Sequence, residues 1–427
     1  MKDKSRKIRN YLYYGYLPPE TSPEWLEECF EAGSDAEHRT PSSAAELIMA
    51  ILDEEIEKYF HGGCNCVIPI SGGWDSRFLL AAAMRRFKKS RIRLLSFGAP
   101  GQLDFDIGRK IAESYAINHF AINLEELDFS WDKLLNSVKN NPWTYVPDSY
   151  FNKSSISHAI EPGDVILSGF LGEALTGGHY SCFESAHDTK VEFVKRQRRS
   201  RFDLTPSDFD PVSSIPPVNT PKNISMSEYW DIAIRQSNCI APIVTPEKRM
   251  NGWGDYRGEI KKGNLMIAPF AHPLWAKFWL RVPKNDKKNQ SLYLRALIEL
   301  SPELAKFPSK YSYGAKPESM HAWFAKKMYI FRKHLSVRLP KICSSPGALL
   351  NYVDYERLFR IRQDYQDVLI RAFTYLAANK VVPWIDLDCL LQSHMNGRAN
   401  RSNEFMLLIG LALNLTAEEN EFVEGAS

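Results

Sequence analysis

The chain has 427 residues, with 44% hydrophobic and 25% charged residues and a formal charge of only +3. That length predicts one large domain or two ordinary ones, and the composition is that of a globular protein with a substantial core. The near-neutral balance argues against a dedicated nucleic-acid binder, and no apolar run approaches bilayer length. Seven cysteines, at 29, 64, 66, 182, 239, 343 and 389, are odd in number and lack metal-ligand spacing, so neither a disulfide framework nor a zinc site is expected. Cys64 and Cys66 read as reduced thiols at a strand start. The basic N-terminus, MKDKSRKIRNYLYYGY, is not followed by a signal-peptide core, and a cytoplasmic location is the expectation.

In chain order, Pro18, Pro19 and Pro23 lead to a helix beginning near Ser43, with Ser43 and Glu46 as a capping box and Ile48, Ile51, Leu52, Ile56 and Tyr59 at helical spacing. Gly62 and Gly63 stop it. Val67–Ile70 reads as a buried strand, and a helix carrying Phe78, Leu79, Ala82 and Met84 follows. Ile92–Phe97 is the next strand, 104–116 a helix, His119–Ile122 a third strand, 124–139 a helical stretch and Asp164–Leu167 a further strand. This alternation predicts an α/β fold, a doubly wound parallel sheet. Residues 185–225 hold the basic run Lys195–Arg201, which reads as a solvated face, and a Pro/Ser/Asp-rich stretch; together they predict a surface loop. Beyond 225 the chain reads as mainly helical.

The strongest signal is Ile70-Ser71-Gly72-Gly73-Trp74-Asp75-Ser76-Arg77 between a strand and a helix. At such a turn the first helical N–H groups converge and the helix dipole adds positive charge, which suits a phosphate. Gly72 and Gly73 allow close approach, and Ser71 and Ser76 can donate to phosphate oxygens. Asp75 would repel a bare phosphate, so its presence suggests a bridging Mg2+. No lysine follows the glycines, so this is not a Walker loop.

This SGG-x-DS segment resembles the pyrophosphate loop of the ATP pyrophosphatase superfamily, and its surroundings are similar to the synthetase domain of the asparagine synthetase family. The resemblance implies that Ser71, Gly72, Gly73 and Ser76 hold ATP phosphates and that Asp75 binds Mg2+. LLSFGAPG is similar to the family strand beside the adenine, implying Ser96, Phe97 and Gly98 as adenosine contacts. Asp104-Phe105-Asp106 opens the next helix, as an acidic pair does in the family, and helix capping and a substrate role are the two readings, capping at least the equal of the other.

A second segment, Leu167-Ser168-Gly169-Phe170-Leu171-Gly172-Glu173-Ala174-Leu175-Thr176-Gly177-Gly178, resembles the family stretch that begins LSG and closes with a glycine pair. It sits at a strand end, where open α/β sheets gather ligands. Gly169 falls on a nucleotide-contacting position. Glu173 falls on the second Mg2+-binding acid and keeps its charge. Phe170 replaces a family glutamate implicated in amide formation, and an aromatic ring cannot move a proton. Lys310 follows Pro302 by eight residues, the spacing of a family lysine that stabilises transition-state charge; one such contact is worth on the order of 3–4 kcal/mol. The turn Ile267–Pro273 is similar to a family turn but carries Ile267 and His272 where that turn has a charged pair. A lone histidine there is more often structural than a base.

Resemblance spans roughly 9–330. The expected organisation is an extension at 1–40 resembling the remnant of a glutaminase domain, a nucleotide domain at 41–330 and a helical extension at 331–427. No glutaminase nucleophile is expected, so nitrogen would come as ammonia, free or from a separate protein, or as an amine of the substrate itself. The resemblance implies an ATP- and Mg2+-dependent, AMP-forming amide ligase acting on a small-molecule or peptide carboxylate. An intramolecular cyclase and a non-catalytic nucleotide-binding homologue are the alternatives. No membrane or nucleic-acid partner is expected.

Overall fold

The computed structural model describes residues 2–18, 40–60, 63–140, 142–147, 160–178, 190–200, 202–215, 265–316, 320–338 and 353–424. Helices α1 (Lys2–Tyr14) and α2 (Pro41–Tyr59) precede the first strand, β1 (Cys66–Pro69). Next come α3 (Trp74–Met84), β2 (Ile92–Gly98), α4 (Leu103–Tyr115), β3 (Asn118–Asn123) and α5 (Trp131–Asn140). A second stretch holds β4 (Val165–Leu167), the one-turn α6 (Gly172–Leu175), α7 (Lys190–Gln197) and β5 (Leu265–Ile267). Helices α8 (Pro273–Leu280), α9 (Lys284–Lys287), α10 (Ser291–Leu300), α11 (Pro302–Ala305) and α12 (Met320–Arg338) follow. Four more close the described chain: α13 (Tyr355–Ile361), α14 (Gln363–Ala378), α15 (Leu387–Met395) and α16 (Ser402–Glu424).

The five strands form one all-parallel sheet in the order β3-β2-β1-β4-β5. The chain moves outward from β1 through β2 to β3, then returns to the other side of β1 for β4. The sheet order therefore reverses between β1 and β4, and the crevice beyond their carboxyl ends is where ligands collect in open sheets. Both signature segments leave the sheet at this crevice.

Alternation along the strands decides which core each side chain joins. On β1, Cys66 and Ile68 pack with Leu94 into a large cluster that includes α2, α3, α8 and α10. Val67 points the other way and meets Leu95, Ile160 and Ile166. Buried on both faces, the central strands β1 and β4 are continuous apolar runs, as covered parallel strands commonly are. A third cluster joins α1 and α5 to α13–α16 and reaches the sheet at Phe97 and Ile122. Thus α1 and the C-terminal helices share one core. Among the described residues, no helix is long and apolar enough to cross a membrane.

Several local expectations shift. The cap of α2 is Thr40, whose hydroxyl accepts from Ser43 N while Ser43 Oγ accepts from Thr40 N, so Ser43 is the third helical residue of the box rather than its cap. Residues 124–126 form a short 3-10 turn and the α-helix begins only at Trp131. Within the expected loop at 185–225, Lys190–Gln197 is helical, and 185–189 and 216–225 lie outside the described residues. Strand β5 was not foreseen. Cys64 and Cys66 are free thiols, as expected, and burial pushes both upward in pKa.

Candidate functional site

The β1–α3 turn is built for close approach. A β-carbon on Gly72 would lie 3.1 Å from Ile107 Cδ1 and 3.2 Å from Asp104 Oδ1. Within the turn, Ser71 N donates to Ser76 Oγ (3.1 Å), Gly73 N to Ser71 Oγ (3.2 Å) and Gly72 N to Asp104 Oδ1 (2.9 Å). Three amides that the sequence suggested for phosphate are thus engaged by neighbouring side chains. The first turn of α3 remains: its cap residue, Gly73, offers no side-chain acceptor, and an anion is the natural cap for such a terminus.

Asp75 enters α3 at its second residue and is held from two directions. Glu173 N donates to Asp75 Oδ2 at 3.0 Å, and the Tyr293 hydroxyl donates to Asp75 Oδ1 at 3.0 Å. Tyr293 lies on α10, its ring stacked on Phe78 with centroids 4.9 Å apart. Burial, then the charge of nearby Glu173, pushes the Asp75 carboxyl up to about 7, against the pull of Tyr293 and Lys310. A carboxylate so held favours a cation beside it.

The β4–α6 turn supplies Glu173. Ser168 N still pairs with Ile267 O of β5 at 2.8 Å, then the chain leaves the sheet. Leu171 adopts φ 70°, ψ −9°, the left-handed region, and its side chain is buried. A bulky residue there carries strain of about 1–3 kcal/mol, the kind that structures retain around functional turns. The turn brings Gly169 and Gly172 against Asp75: a β-carbon would stand 3.1 Å from Asp75 Cβ at Gly169 and 2.4 Å from Asp75 Cγ at Gly172. The closing glycine pair has the same logic. A β-carbon would fall 2.4 Å from Lys287 O at Gly177 and 2.2 Å from Glu173 Cγ at Gly178.

Lys310 arrives from far along the chain. Its N–H donates to Gly72 O at 3.2 Å, and its Nζ stands 3.8 Å from Asp104 Oδ2. Arg77, fully buried, holds this approach: Nη1 donates to Phe307 O (3.0 Å) and Leu304 O (3.4 Å), and Nη2 to Gly72 O (3.1 Å) and to Pro308 O. One guanidinium thus staples the 304–308 segment to the glycine loop. Burial pulls its pKa down to about 10. Tyr311 stacks on Trp74 (centroids 6.0 Å apart) and hydrogen-bonds Glu173; burial, then the charges of Glu173 and Asp75, raises its phenol well above the usual tyrosine range.

The structure therefore brings Ser71, Gly72, Gly73, Asp75, Ser76, Gly169, Glu173 and Lys310 to one crevice. The adenosine candidates sit differently. Ser96 Oγ donates to Ile70 O at 3.1 Å and lies 3.0 Å from His119 Nε2, so its hydroxyl ties β2 to the end of β1, and the residue stands opposite Ala121 in the β2–β3 ladder. Phe97 packs toward the C-terminal helices, and Gly98 ends β2 paired with Asn123. His272 is a cap: its Nδ1 accepts from Leu274 N at 3.2 Å and its Nε2 stands 3.5 Å from Glu54 Oε2.

Asp104, Arg77, Tyr293 and Tyr311 were not assigned to the site from sequence. Only Asp104 had a local signal, its place in the first turn of α4; the others are set by contacts between distant segments.

The donor set fits magnesium better than a cage-bound metal. Among the described residues, no group of three or more His, Cys, Asp or Glu could hold a metal. Asp75 and Glu173 are hard oxygen donors, and Mg2+ characteristically takes one or two carboxylates plus phosphates and water. Compared with known proteins, the chain matches no family model and no curated protein.

Proposed function

We propose that the chain is an ATP-dependent, AMP-forming carbon–nitrogen ligase with a doubly wound sheet of the ATP pyrophosphatase type. The observation that carries this reading is the convergence of Asp75, Glu173 and Lys310 on one glycine turn at the reversal of sheet order. An acidic pair and a lysine at an uncapped helix N-terminus suit a metal-bound polyphosphate. Such a constellation has little use in a merely structural turn.

In this reading, a substrate carboxylate attacks the α-phosphorus of ATP, giving an acyl-adenylate and pyrophosphate. Ammonia or an amine then attacks the acyl carbon, giving an amide, AMP and a proton. Mg2+, held by Asp75 and Glu173, would neutralise the phosphate charge as pyrophosphate leaves. The first turn of α3 and the Lys310 ammonium would offer donors to the departing pyrophosphate, a fixed electrostatic environment that needs no reorganisation. Arg77 keeps Lys310 against the turn. The Tyr293 hydrogen bond favours the ionised form of Asp75 and offsets part of the cost of burial. The nitrogen donor is ammonia, free or from a separate protein, or an amine on the substrate, and the reaction is that of a cytoplasmic enzyme.

The test is product identity. Purified protein is given ATP, Mg2+, ammonium and a panel of small and peptide carboxylates, and the nucleotide products are resolved by chromatography. The reading requires carboxylate-dependent AMP and pyrophosphate, lost in Asp75→Asn. Products of ADP and phosphate would sink it. Mass analysis of the acid product separates cyclisation, which loses one water, from ammonia addition.

A further inference from the structure

Asp104 is a buried carboxylate that the proposed chemistry does not use. It lies in the first turn of α4, yet its oxygens face away from its own helix toward the glycine turn. Oδ1 takes the Gly72 N–H at 2.9 Å, and Oδ2 stands 3.8 Å from Lys310 Nζ. Its side chain is only 7% exposed, so water screens these contacts weakly. An amide hydrogen and an ammonium are the two kinds of donor that a phosphate oxygen would seek in this turn. The protein's own carboxylate already engages both.

We infer that Asp104 is a specificity-determining residue that makes the turn accept polyphosphate only when a divalent cation accompanies it. This rests on the reading of the crevice as a polyphosphate site. Among the described residues, the carboxyls of Asp75, Glu173 and Asp104 and the cations Lys310 and Arg77 all lie close to Tyr311. Arg77 spends its Nη1 and Nη2 donors on the carbonyls of Gly72, Leu304, Phe307 and Pro308, so these face the backbone rather than an incoming ligand. A bare polyphosphate entering here meets the Glu173 and Asp104 carboxyls beside the turn and must compete with Asp104 for Gly72 and Lys310. A magnesium complex brings its own positive charge to Asp75 and Glu173 and overcomes that repulsion. The consequence is discrimination against free phosphate, pyrophosphate and uncomplexed nucleotide.

Asp104→Asn isolates the charge. The amide oxygen can still accept from Gly72 N–H, so the turn keeps its hydrogen bond while the repulsion disappears. The probe is inorganic pyrophosphate, titrated calorimetrically with EDTA or with excess Mg2+. Wild-type protein is expected to bind the magnesium complex at least tenfold more tightly than bare pyrophosphate. Asp104→Asn is expected to bind bare pyrophosphate at least tenfold more tightly than wild type and to narrow the magnesium preference. A residue that merely supports the turn would show the opposite sign, weaker binding in both conditions, and that result overturns the inference. Should the variant unfold, the wild-type pair of titrations decides: equal affinity with and without Mg2+ overturns it. Wild-type protein that binds Mg·ATP with an Asn variant indistinguishable from it rejects the inference and leaves the ligase reading standing. Wild-type protein that binds neither pyrophosphate nor ATP rejects both.

Discussion

Gly172 and Asp75 touch so closely that the glycine cannot carry a side chain: a β-carbon on Gly172 would stand 2.4 Å from Asp75 Cγ and 2.5 Å from Oδ1. Gly172 opens α6, where alanine is otherwise favoured, so Gly172→Ala tests close approach alone. The methyl would push Asp75 off Tyr293 and Glu173. Overpacking of this kind costs about 1–3 kcal/mol, read as a lower urea midpoint with unchanged slope. Nucleotide binding in Mg2+ should fall by at least tenfold. A variant as stable and as tightly binding as wild type would mean that the two turns are not packed as described.

Asp75 gives a prediction of opposite sign for stability and function. In the metal-free protein its carboxyl is pushed from 3.8 up to about 7, so the folded state binds its proton more tightly than the unfolded state. Stability from this group is complete below about pH 4 and is lost as pH rises toward 7, on the order of 4 kcal/mol at most. Asp75→Asn removes that loss. In EDTA, the stability of the variant relative to wild type should therefore rise between pH 5 and pH 8, while pyrophosphate release disappears. A difference that stays constant with pH would show that Asp75 is not held against its charge.

Arg77 connects the lysine segment to the turn through four carbonyls. Arg77→Lys keeps the charge but replaces a planar fork with a single ammonium. Each buried carbonyl left without a donor costs about 1–3 kcal/mol, so a loss of about 2–4 kcal/mol is expected in urea unfolding. Pyrophosphate binding should weaken as Lys310 loses its anchor. Full stability in the lysine variant would contradict the staple.

The C-terminal core holds a titratable group of its own. The Arg401 N–H donates to His394 Nδ1 at 3.0 Å, and His394 Nε2 lies 3.1 Å from Glu356 O. These partners fix a neutral ring with its hydrogen on Nε2. Burial pushes the ring from 6.5 down to about 4. The unfolded chain thus binds the proton first, and this contribution is complete above about pH 6.5 and lost as pH falls toward 4, about 3 kcal/mol in all. His394→Gln should flatten the fall in stability between pH 6.5 and 4.5. A variant whose stability falls as steeply as wild type over that range would contradict the assignment.

Much of the α/β architecture was legible because its signals are local. The run Val67–Ile70, the glycine pair and the serines at 71 and 76 mark a strand, a turn and a helix start within a dozen residues, and the structure has all three. The β4 turn is legible for the same reason. Strand β5 spans only three residues, Leu265–Ile267, and exists because β4 offers it an edge; no local pattern announces it. The helix at Lys190–Gln197 was hidden by the polar, proline-rich stretch that follows it. The sequence assigns no role to Tyr293 or Arg77, because their roles depend on segments folded back from elsewhere in the chain. Ser96 shows the converse: the family resemblance implied an adenosine contact there, yet its hydroxyl is turned inward to Ile70.

The most direct measurement is a calorimetric titration of the α,β-methylene analogue of ATP in excess Mg2+, comparing wild type with Asp75→Asn, Glu173→Gln and Lys310→Ala. The account predicts saturable one-to-one binding to wild type, weakened at least tenfold by each substitution, with all four proteins folded by circular dichroism. Absence of binding to wild type, or affinity unchanged across the three variants, would contradict it.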